Sequence, residues 1–303
     1  MLRLVALVFL VPCLTGCTPD YTILEHRDVS LPVGEKPHLF IEMANGSIDI
    51  TSTSGKDVTG KLTKRGVGVD KEEAEAELAA IAFDMIPNQD GKIVIRVKRT
   101  DGRKQWNSSG AAATLQVPKG SKLELVSTNA SIRVSGRNQG TIAKTSNGSI
   151  DVKDTQSWVD LTTTNGSVEC EAIQGPVKIA TSNAKVQVNG RDLLLDCKTS
   201  NGSFRCTGNL VDGDHKATTS NAHITMQLPR DTAVNVEATT SNGRIKSDFN
   251  YLKTDFGFKS SKNYVKGTIG NDKPGKTLTL KTSNSSISLK RNGDTKSTDT
   301  VEE

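Results

Sequence analysis

Aromatic side chains are scarce in this chain: Phe, Trp and Tyr together make up only 4% of its 303 residues. Threonine, serine, asparagine and glycine are abundant instead. A large helical core is therefore not expected. The composition favours short β-strands joined by tight corners, because β-branched residues suit strands and Asn, Ser and Gly suit turns.

Cysteine is also rare, and two of the five, Cys13 and Cys17, lie close to the N-terminus. The other three are Cys170, Cys197 and Cys206, and an odd number argues against a disulfide framework. None of them forms a Cys-x-x-Cys motif or has zinc-site spacing with a histidine. We therefore expect three small core residues, and we expect no metal and no cofactor. The histidines are His26, His38, His215 and His223.

A block of charge of one sign is missing as well. The formal net charge is +5, but basic and acidic residues are interspersed along the chain. Nucleic-acid binding normally requires basic residues clustered on one face. The sequence therefore indicates no nucleic-acid partner.

The only long apolar run, Leu4–Val11, has signal-peptide length and is too short to span a membrane as a helix. It follows a short basic start and ends in Leu14-Thr15-Gly16-Cys17. This tetrapeptide resembles the lipobox of bacterial lipoproteins, which implies a signal peptide over residues 1–16. An ordinary signal peptide with two incidental cysteines is the alternative.

Cys17 is the residue that the lipobox resemblance marks for lipidation. Several acyl chains hold a protein stably at a membrane, so we expect Cys17 to be a permanent anchor. Residues 17–36 would then form a tether. Thr18 follows the cysteine instead of an aspartate, which, by resemblance to known sorting rules, favours the outer membrane. The expected location is the cell envelope.

A six-residue motif, TSNGSI at Thr145–Ile150, recurs in near-copies along the chain. From Asn129 onward, the spacings between its asparagines are four of 18 residues, then 20, 21 and finally 42, which equals two repeats of 21. Fixed periods of this size are typical of solenoids, in which each repeat buries its apolar side against its neighbours. The motif asparagines are Asn45, Asn129, Asn147, Asn165, Asn183, Asn201, Asn221, Asn242 and Asn284.

Apolar residues flank each motif asparagine at fixed offsets, −6 and −4 before it and +3 and +5 after it. Period two on each side indicates two half-buried strands per repeat. The apolar positions fall at even offsets before the asparagine and at odd offsets after it. Both strands can bury these residues only if the backbone bends at the motif. A hairpin would pair the two flanking strands, whereas a bend lets each strand pair in parallel with its copy one coil away.

These patterns predict an all-β fold, a right-handed parallel β-helix (β-solenoid) with coils of 18–21 residues. Parallel crossovers are overwhelmingly right-handed. A left-handed hexapeptide helix has the same coil length and is the alternative, although its six-residue pattern is not evident. The motif asparagines are the expected structural corners.

Each corner can be described further. Asn tolerates left-handed backbone geometry, and its amide can bond to the amide of the next coil in a ladder. We expect the threonine two residues earlier to stack beneath it. The residue after Asn is Gly, Ala or Ser in different copies, which indicates a need for small size instead of a strict need for glycine.

The solenoid is expected to span residues 37–290, with two interruptions. Residues 54–118 read as an irregular capping insertion containing a helix at 70–85, which covers the open N-terminal end or, alternatively, binds a partner. Residues 248–276 form an aromatic excursion that packs on the side or end of the solenoid or, alternatively, presents a ligand platform. Residues 291–303 are polar and expected to be disordered.

The segment GTIG…LTLKTSNSSISL within Gly267–Leu289, together with the TSNG repeats and the long excursion, resembles the DUF4097 family over about Leu39–Leu289. The resemblance implies an adhesin-like protein of the cell surface built from β-strand repeats. It implies no catalytic residues.

Polysaccharide lyases and glycosidases also occur on β-helices, so catalysis is a competing prediction for this fold. Asp151 and Glu169 share the +4 position of adjacent coils, and could form a carboxylate pair or a weak calcium site. Gln187 and Arg205 continue that column, which favours a solvated surface of mixed charge. The sequence thus predicts a non-catalytic, lipid-anchored scaffold that binds a glycan, an envelope polymer or a protein. A polysaccharide-active β-helix enzyme is the alternative.

Overall fold

The computed structural model describes residues 7–9, 21–34, 36–87 and 92–292. The all-β prediction is confirmed: the described residues form 24 strands and one helix. The chain divides into two compact units, residues 1–167 and 168–303. No helix in the described part of the chain is long and apolar enough to cross a membrane.

The first unit contains thirteen strands and the helix α1. Their bounds are β1 Leu7–Phe9, β2 Tyr21–Pro32, β3 His38–Met43, β4 Gly46–Thr53, β5 Asp57–Gly68, α1 Lys71–Ala79, β6 Ile81–Pro87, β7 Lys92–Arg99, β8 Gly110–Pro118, β9 Lys122–Ser127, β10 Ser131–Ser135, β11 Gly140–Lys144, β12 Ile150–Lys153 and β13 Trp158–Thr162.

Strands at equivalent positions of the repeat pair in parallel. Strands β3, β9, β11 and β13 form one row, and strands β4, β10 and β12 form another. The register matches apolar copies to each other, as where Ile132 lies opposite Ile48 on one side and Ile150 on the other. Each motif therefore joins a strand of the first row to a strand of the second, which is the bend that the change in parity predicts.

The core of this unit lies between the two rows. Leu123 and Leu125 of β9 and Ile132 of β10 are fully buried, and alternate residues face outward. Burying a side chain of this size contributes roughly 1.5–3 kcal/mol. Because each coil supplies only a few such residues, neighbouring coils must stack to offset the cost of ordering the chain.

The N-terminal end of the rows differs from the predicted irregular insertion at 54–118. Strands β7 and β8 pair in parallel with β3 and β4, so residues 92–118 add another layer to both rows. Beyond them the pairing becomes antiparallel: β6 lies on β7, and β5 lies on β8. These antiparallel strands cover edges that would otherwise be exposed.

The predicted tether at 17–36 is also corrected over part of its length. Residues 21–32 form the twelve-residue strand β2, which pairs antiparallel along the whole of β5. Ile23 and Val29 of this strand are buried, which gives it an apolar contact as well as backbone bonds. The backbone of β1 pairs with β2.

The helix is shorter than predicted, ending at Ala79 instead of residue 85. Asp70 caps its start by accepting a hydrogen bond from the Glu73 amide, as the capping pattern indicates. The following segment forms β6 because β7 offers it an open edge. Gly66 of β5 lets the helix approach closely, since a Cβ there would lie 2.3 Å from the Ala74 carbonyl oxygen.

A buried ion pair ties the helix to β7. The Arg99 guanidinium contacts the Glu77 carboxylate at 2.7 Å, and both side chains are at most 3% exposed. The hydrogen bond from Arg99 lowers the pKa of Glu77, although burial alone would raise that pKa. Asp101 and Arg103 extend the cluster towards solvent.

The second unit contains the remaining strands. Their bounds are β14 Val168–Ala180, β15 Val186–Lys198, β16 Phe204–Leu210, β17 Gly213–Thr218, β18 Ile224–Leu228, β19 Val234–Thr240, β20 Ile245–Ser247, β21 Lys259–Ser260, β22 Tyr264–Ile269, β23 Lys276–Thr282 and β24 Ile287–Arg291.

Parallel rows recur in this unit, but the coils do not follow the order of the sequence. Strand β23 lies between β17 and β19, and β24 lies between β18 and β20. The last coil in sequence is therefore inserted one position before the coil that precedes it. The 42-residue spacing from Asn242 to Asn284 does not represent two successive coils of 21.

The aromatic excursion explains this insertion. Its strand β22 pairs antiparallel with β19 and covers the edge that the inserted coil leaves free. Phe249 is buried beneath Arg291, whereas Phe258 is 45% exposed and contacts Tyr251. The excursion is thus a packed covering strand with part of its apolar surface open.

Two predictions fall mainly on residues that the structure does not describe. The predicted signal peptide and the predicted lipidation site, Cys17, lie outside the described residues, apart from the backbone of β1. The predicted disordered tail begins at residue 291, but Arg291 belongs to β24 and Asn292 follows it. The remainder of that tail also lies outside the described residues.

Candidate functional site: an asparagine ladder and a polar cleft

The motif asparagines of each unit form a ladder of side-chain amides, as their spacing predicts. Seven of these asparagines donate from Nδ2 to the Oδ1 of the asparagine on a neighbouring coil at 2.6–2.7 Å, on an exposed edge of the coils. The ladder of the first unit runs through Asn165, Asn147, Asn129 and Asn45. The ladder of the second unit runs through Asn242, Asn284, Asn221, Asn201 and Asn183.

In seven of the nine copies, the residue two before the ladder asparagine is a threonine that lies in a buried layer beneath it. In the first two copies Met43 and Ser127 take this buried position. The Thr145 hydroxyl donates to the Ala130 carbonyl of the neighbouring coil at 3.1 Å and accepts from the Gly148 amide at 3.3 Å. Thr163 and Thr240 make the same pair of bonds in their own coils. One hydroxyl therefore closes its own turn and links two coils.

The backbone at the corner differs from the predicted geometry. No ladder asparagine has a positive φ; among the described non-glycine residues, only Asn107, Asp154, Ala172 and Asp192 do. The bend is instead produced over several residues and held by the threonine and asparagine side chains.

The position after the asparagine is occupied by Gly, Ala or Ser in different copies, but in several copies the structure leaves no room for any side chain. A Cβ added at Gly148 would lie 1.9 Å from the Ala130 carbonyl oxygen, and one added at Gly166 would lie 1.8 Å from the Gly148 oxygen. Similar clashes arise at Gly202 and Gly243. Glycine is thus required in these copies by the close approach of the adjacent coil, which single motifs do not reveal.

The +4 column carries ion pairs instead of a pair of carboxylates. In the first unit, Arg133 contacts Asp49 at 2.9 Å and Asp151 at 3.9 Å. Glu169 is exposed in the second unit. Within the part of the chain that the structure describes, no cluster of three or more His, Cys, Asp or Glu side chains could hold a metal ion.

The thiols and one histidine of the second unit lie in its core. Burial raises the pKa of the Cys206 thiol to about 12 and raises the pKa of Cys197 well above its usual range, which disfavours the reactive thiolate of both residues at neutral pH. Cys170 is equally buried. His215 is buried, with Nδ1 accepting from the Leu195 amide and Nε2 donating to the Val211 carbonyl oxygen.

A polar cleft of about 610 Å³ lies in the first unit where its ladder ends. Its floor is the surface of β4, β8 and β5, on which Ser47, Ala112 and Thr63 lie side by side. We call it the Arg65 cleft. Its lining residues are Leu24, Asn45, Gly46, Ser47, Thr63, Arg65, Asn107, Ala111, Ala112 and Asn129.

The terminal ladder residue, Asn45, forms one wall of this cleft. Its Nδ2 donates to the carbonyl oxygens of Asn107 and Ser109, both at 3.1 Å, so the loop after β7 closes the ladder. Arg65 holds the same loop by donating to the Ser108 carbonyl oxygen at 2.6 Å. Arg65 and Thr63 were not identified as site residues from the sequence. They are two positions apart in one strand, and this spacing would have indicated that both side chains lie on the same face.

Stacked parallel rows, covered at their ends by antiparallel strands and linked by amide ladders, define a β-solenoid-like repeat protein. The chain belongs to the DUF4097 family, whose model, described as Toastrack DUF4097, matches residues 39–290. The family resemblance inferred from the sequence is therefore confirmed.

Two solved structures illustrate the similarity. One is a candidate cell adhesion protein from Clostridium sporogenes, with 12% identity and a TM-score of 0.27 over 88% of this chain and 98% of that chain. The other is a candidate adhesin from Bacteroides fragilis, with 12% identity and a TM-score of 0.39 over 88% of this chain and 96% of that chain. No curated protein matches the sequence.

Proposed function

We propose that the protein is a non-catalytic, adhesin-like binding scaffold, held at the bacterial cell envelope by a lipid on Cys17. The observation that carries this proposal is the amide ladder. It repeats one exposed polar group at every coil, at the strand spacing of about 4.8 Å.

Regular polar rows of this kind suit weak contacts that are repeated along a polymer. Several weak contacts made together bind far more tightly than any one of them. A glycan, another envelope polymer or an extended protein segment offers such repetition. The Arg65 cleft supports binding over glycoside hydrolysis, because hydrolysis uses two carboxyl groups and none lines this cleft.

Binding and catalysis can be separated with one set of samples. The full-length protein in detergent is mixed with purified envelope polysaccharides, and both sedimentation and polymer length are measured. The proposal predicts co-sedimentation with unchanged polymer length. Shortened chains would support the polysaccharide-active enzyme, and failure to bind any envelope polymer, cell or envelope protein would contradict the scaffold.

The lipid anchor has its own test. Cys17→Ala in the full-length chain removes the acylated side chain, whereas Cys13→Ala removes a cysteine outside the expected attachment point. The first variant should leave the membrane fraction and the second should remain, with the outer-membrane fraction holding the wild-type protein. Membrane association of the Cys17→Ala variant would contradict the anchor.

We also propose a right-handed winding with coils of 18–21 residues. Support comes from parallel registers that pair residues 18 apart, such as Ile132 with Ile150 and Val186 with Phe204. Parallel crossovers are right-handed in nearly all sheets. An experimental structure with left-handed coils would contradict this assignment.

A further inference from the structure

The Arg65 cleft has a charge pattern that sets it apart from the rest of its unit. Arg65 is exposed, and among the described residues the one hydrogen bond of its side chain goes to a neutral backbone carbonyl, that of Ser108. Arg133, by contrast, contacts two carboxylates. No carboxylate lines the cleft, and the guanidinium of Arg65 forms no ion pair with any residue that the structure describes.

The groups around Arg65 are hydrogen-bonding groups. Thr63 Oγ1 lies 2.9 Å from His26 Nδ1, and Ser47 Oγ donates to the Asp49 carboxylate at 2.8 Å. Both hydroxyl oxygens keep acceptor capacity after these bonds. Asn107 also lines the cleft, and Leu24 adds an apolar residue to the lining.

The cleft is also held in shape before any ligand binds. The loop on its rim is fixed by Asn45, by Arg65 and by Ser109, whose hydroxyl accepts from the Val67 amide at 3.1 Å. Asn107 in this loop has a φ of 44°, a conformation that its carbonyl bond to Asn45 helps to maintain. A preformed site loses less conformational entropy on binding, so fewer contacts suffice for affinity.

We propose that the Arg65 cleft binds an oxyanion, a carboxylate or a phosphate, carried by a saccharide of the envelope. The planar guanidinium presents its N–H groups in a fork that matches either oxyanion. The amides and hydroxyls around it match the hydroxyl groups of the attached sugar. This assignment rests on the binding-scaffold function proposed above and specifies what one of its sites recognises.

The test uses the full-length protein in detergent and isothermal titration calorimetry with three probes. Oligogalacturonate carries carboxylates, a glycerol-phosphate oligomer carries phosphates, and an uncharged glucose oligomer is the neutral reference. The proposal expects at least one charged probe to bind at least 10-fold more tightly than the neutral probe. The charged probe that binds identifies the source of the oxyanion, and equal binding of all three would overturn the proposal.

Two variants locate the binding. Arg65→Gln removes the charge, and Arg137→Gln removes one positive charge from an exposed residue of the same unit outside the cleft. Affinity for the charged probe should fall at least 10-fold in Arg65→Gln and remain within 2-fold in Arg137→Gln. Equal affinity of Arg65→Gln and wild type for the charged probe would overturn the assignment of the oxyanion site to the cleft. The scaffold proposal would still stand if both proteins bind envelope polymers.

A third variant protects the test against a folding defect. Ala112→Asp places a carboxylate on the floor of the cleft while leaving Arg65 and its bond to the loop in place. Thermal unfolding shows which variants retain the fold. Among those that do, Ala112→Asp should also lose at least 10-fold in affinity, and undiminished binding by it would overturn the proposal.

Discussion

The stacked repeats of the first unit and the strands that cover their N-terminal end are built on different principles. In the repeats, equivalent strands pair in parallel and each corner copies the next. At the end, β2, β5 and β6 pair antiparallel, and a buried ion pair fastens the helix. Many small, repeated contacts thus stabilise the repeats, whereas a few large, unrepeated contacts stabilise the covering segment.

The largest effect is expected from the covering segment. Glu77→Ala removes one of the two carboxylates that pair with the buried Arg99 and leaves it with Asp101. The expected cost is about 3 kcal/mol of unfolding free energy, the low end of the range for a broken buried pair. Chemical denaturation measures the change. Glu75→Ala on the same helix is the matched control, because its pair with Lys71 is exposed and should contribute less than about 0.5 kcal/mol. Equal effects of the two variants would contradict the distinction.

A repeated corner should respond strongly to one added methyl group. Gly148→Ala forces the new Cβ against the Ala130 carbonyl oxygen and should cost about 1–3 kcal/mol. Gly55→Ala has no heavy atom closer than 3.4 Å and should be nearly neutral. If both variants unfold at the same denaturant concentration as wild type, the claim that adjacent corners stack too closely to admit a Cβ at position 148 is wrong.

A single rung of the ladder should matter less. Asn147→Ala removes one bond to Asn129 and one from Asn165, each worth about 0.5–1.5 kcal/mol before the discount for their exposure. Asn242 makes its ladder bond at an end of the second ladder, so Asn242→Ala should cost about half as much. Thermal unfolding compares the two, and a larger loss at Asn242 would contradict this additive picture.

The difference between the repeats and the covering segment explains which parts of the fold could be predicted from the sequence. The repeat period and the parity change determine strand pairing, corner positions and the ladder, because every copy obeys the same geometry. They do not determine where β22 or β24 lies, since an excursion can return the chain to any free edge. The helix prediction ran past Ala79 because the apolar spacing of residues 81–85 also suits a strand, and the edge of β7 decided between them.

The residues of the Arg65 cleft could also be predicted only where they belong to a repeated motif. Asn45 and Asn129 were identified as corners from their motif, but Arg65 and Asn107 belong to segments without copies elsewhere in the chain. Their approach to Asn45 depends on antiparallel pairing of β5 with β8, which no repeated spacing encodes. Requirements such as glycine at position 148 depend on the neighbouring coil and are likewise invisible in one motif.

A smaller effect is expected from pH. Burial, and secondarily the charge of Lys276, lower the pKa of His215, while its bond to Val211 and the charge of Asp214 act in the opposite direction. The unfolded chain therefore takes up the proton first, near pH 6.5, and stability falls as pH drops below that value. His215→Gln should unfold with a weaker pH dependence between pH 7 and 5. An unchanged dependence would contradict this role.

The most direct test of the motif's structural role is the chemical stability of its asparagines. In an unfolded Asn-Gly sequence, the glycine nitrogen attacks the asparagine side-chain carbon and releases ammonia. In the corner, the Gly148 amide instead donates to Thr145 and the Asn147 amide is held in the ladder.

Thr145→Val removes the first restraint at Asn147 only, while Asn201 keeps its own threonine, Thr199. Mass spectrometry of the folded, full-length protein during prolonged incubation reads both sites in one sample. The account predicts both asparagines intact in wild type, and faster deamidation at Asn147 but not at Asn201 in the variant. Deamidation of wild-type Asn147 at the rate of an unfolded peptide, or equal rates at both sites in the variant, would contradict it.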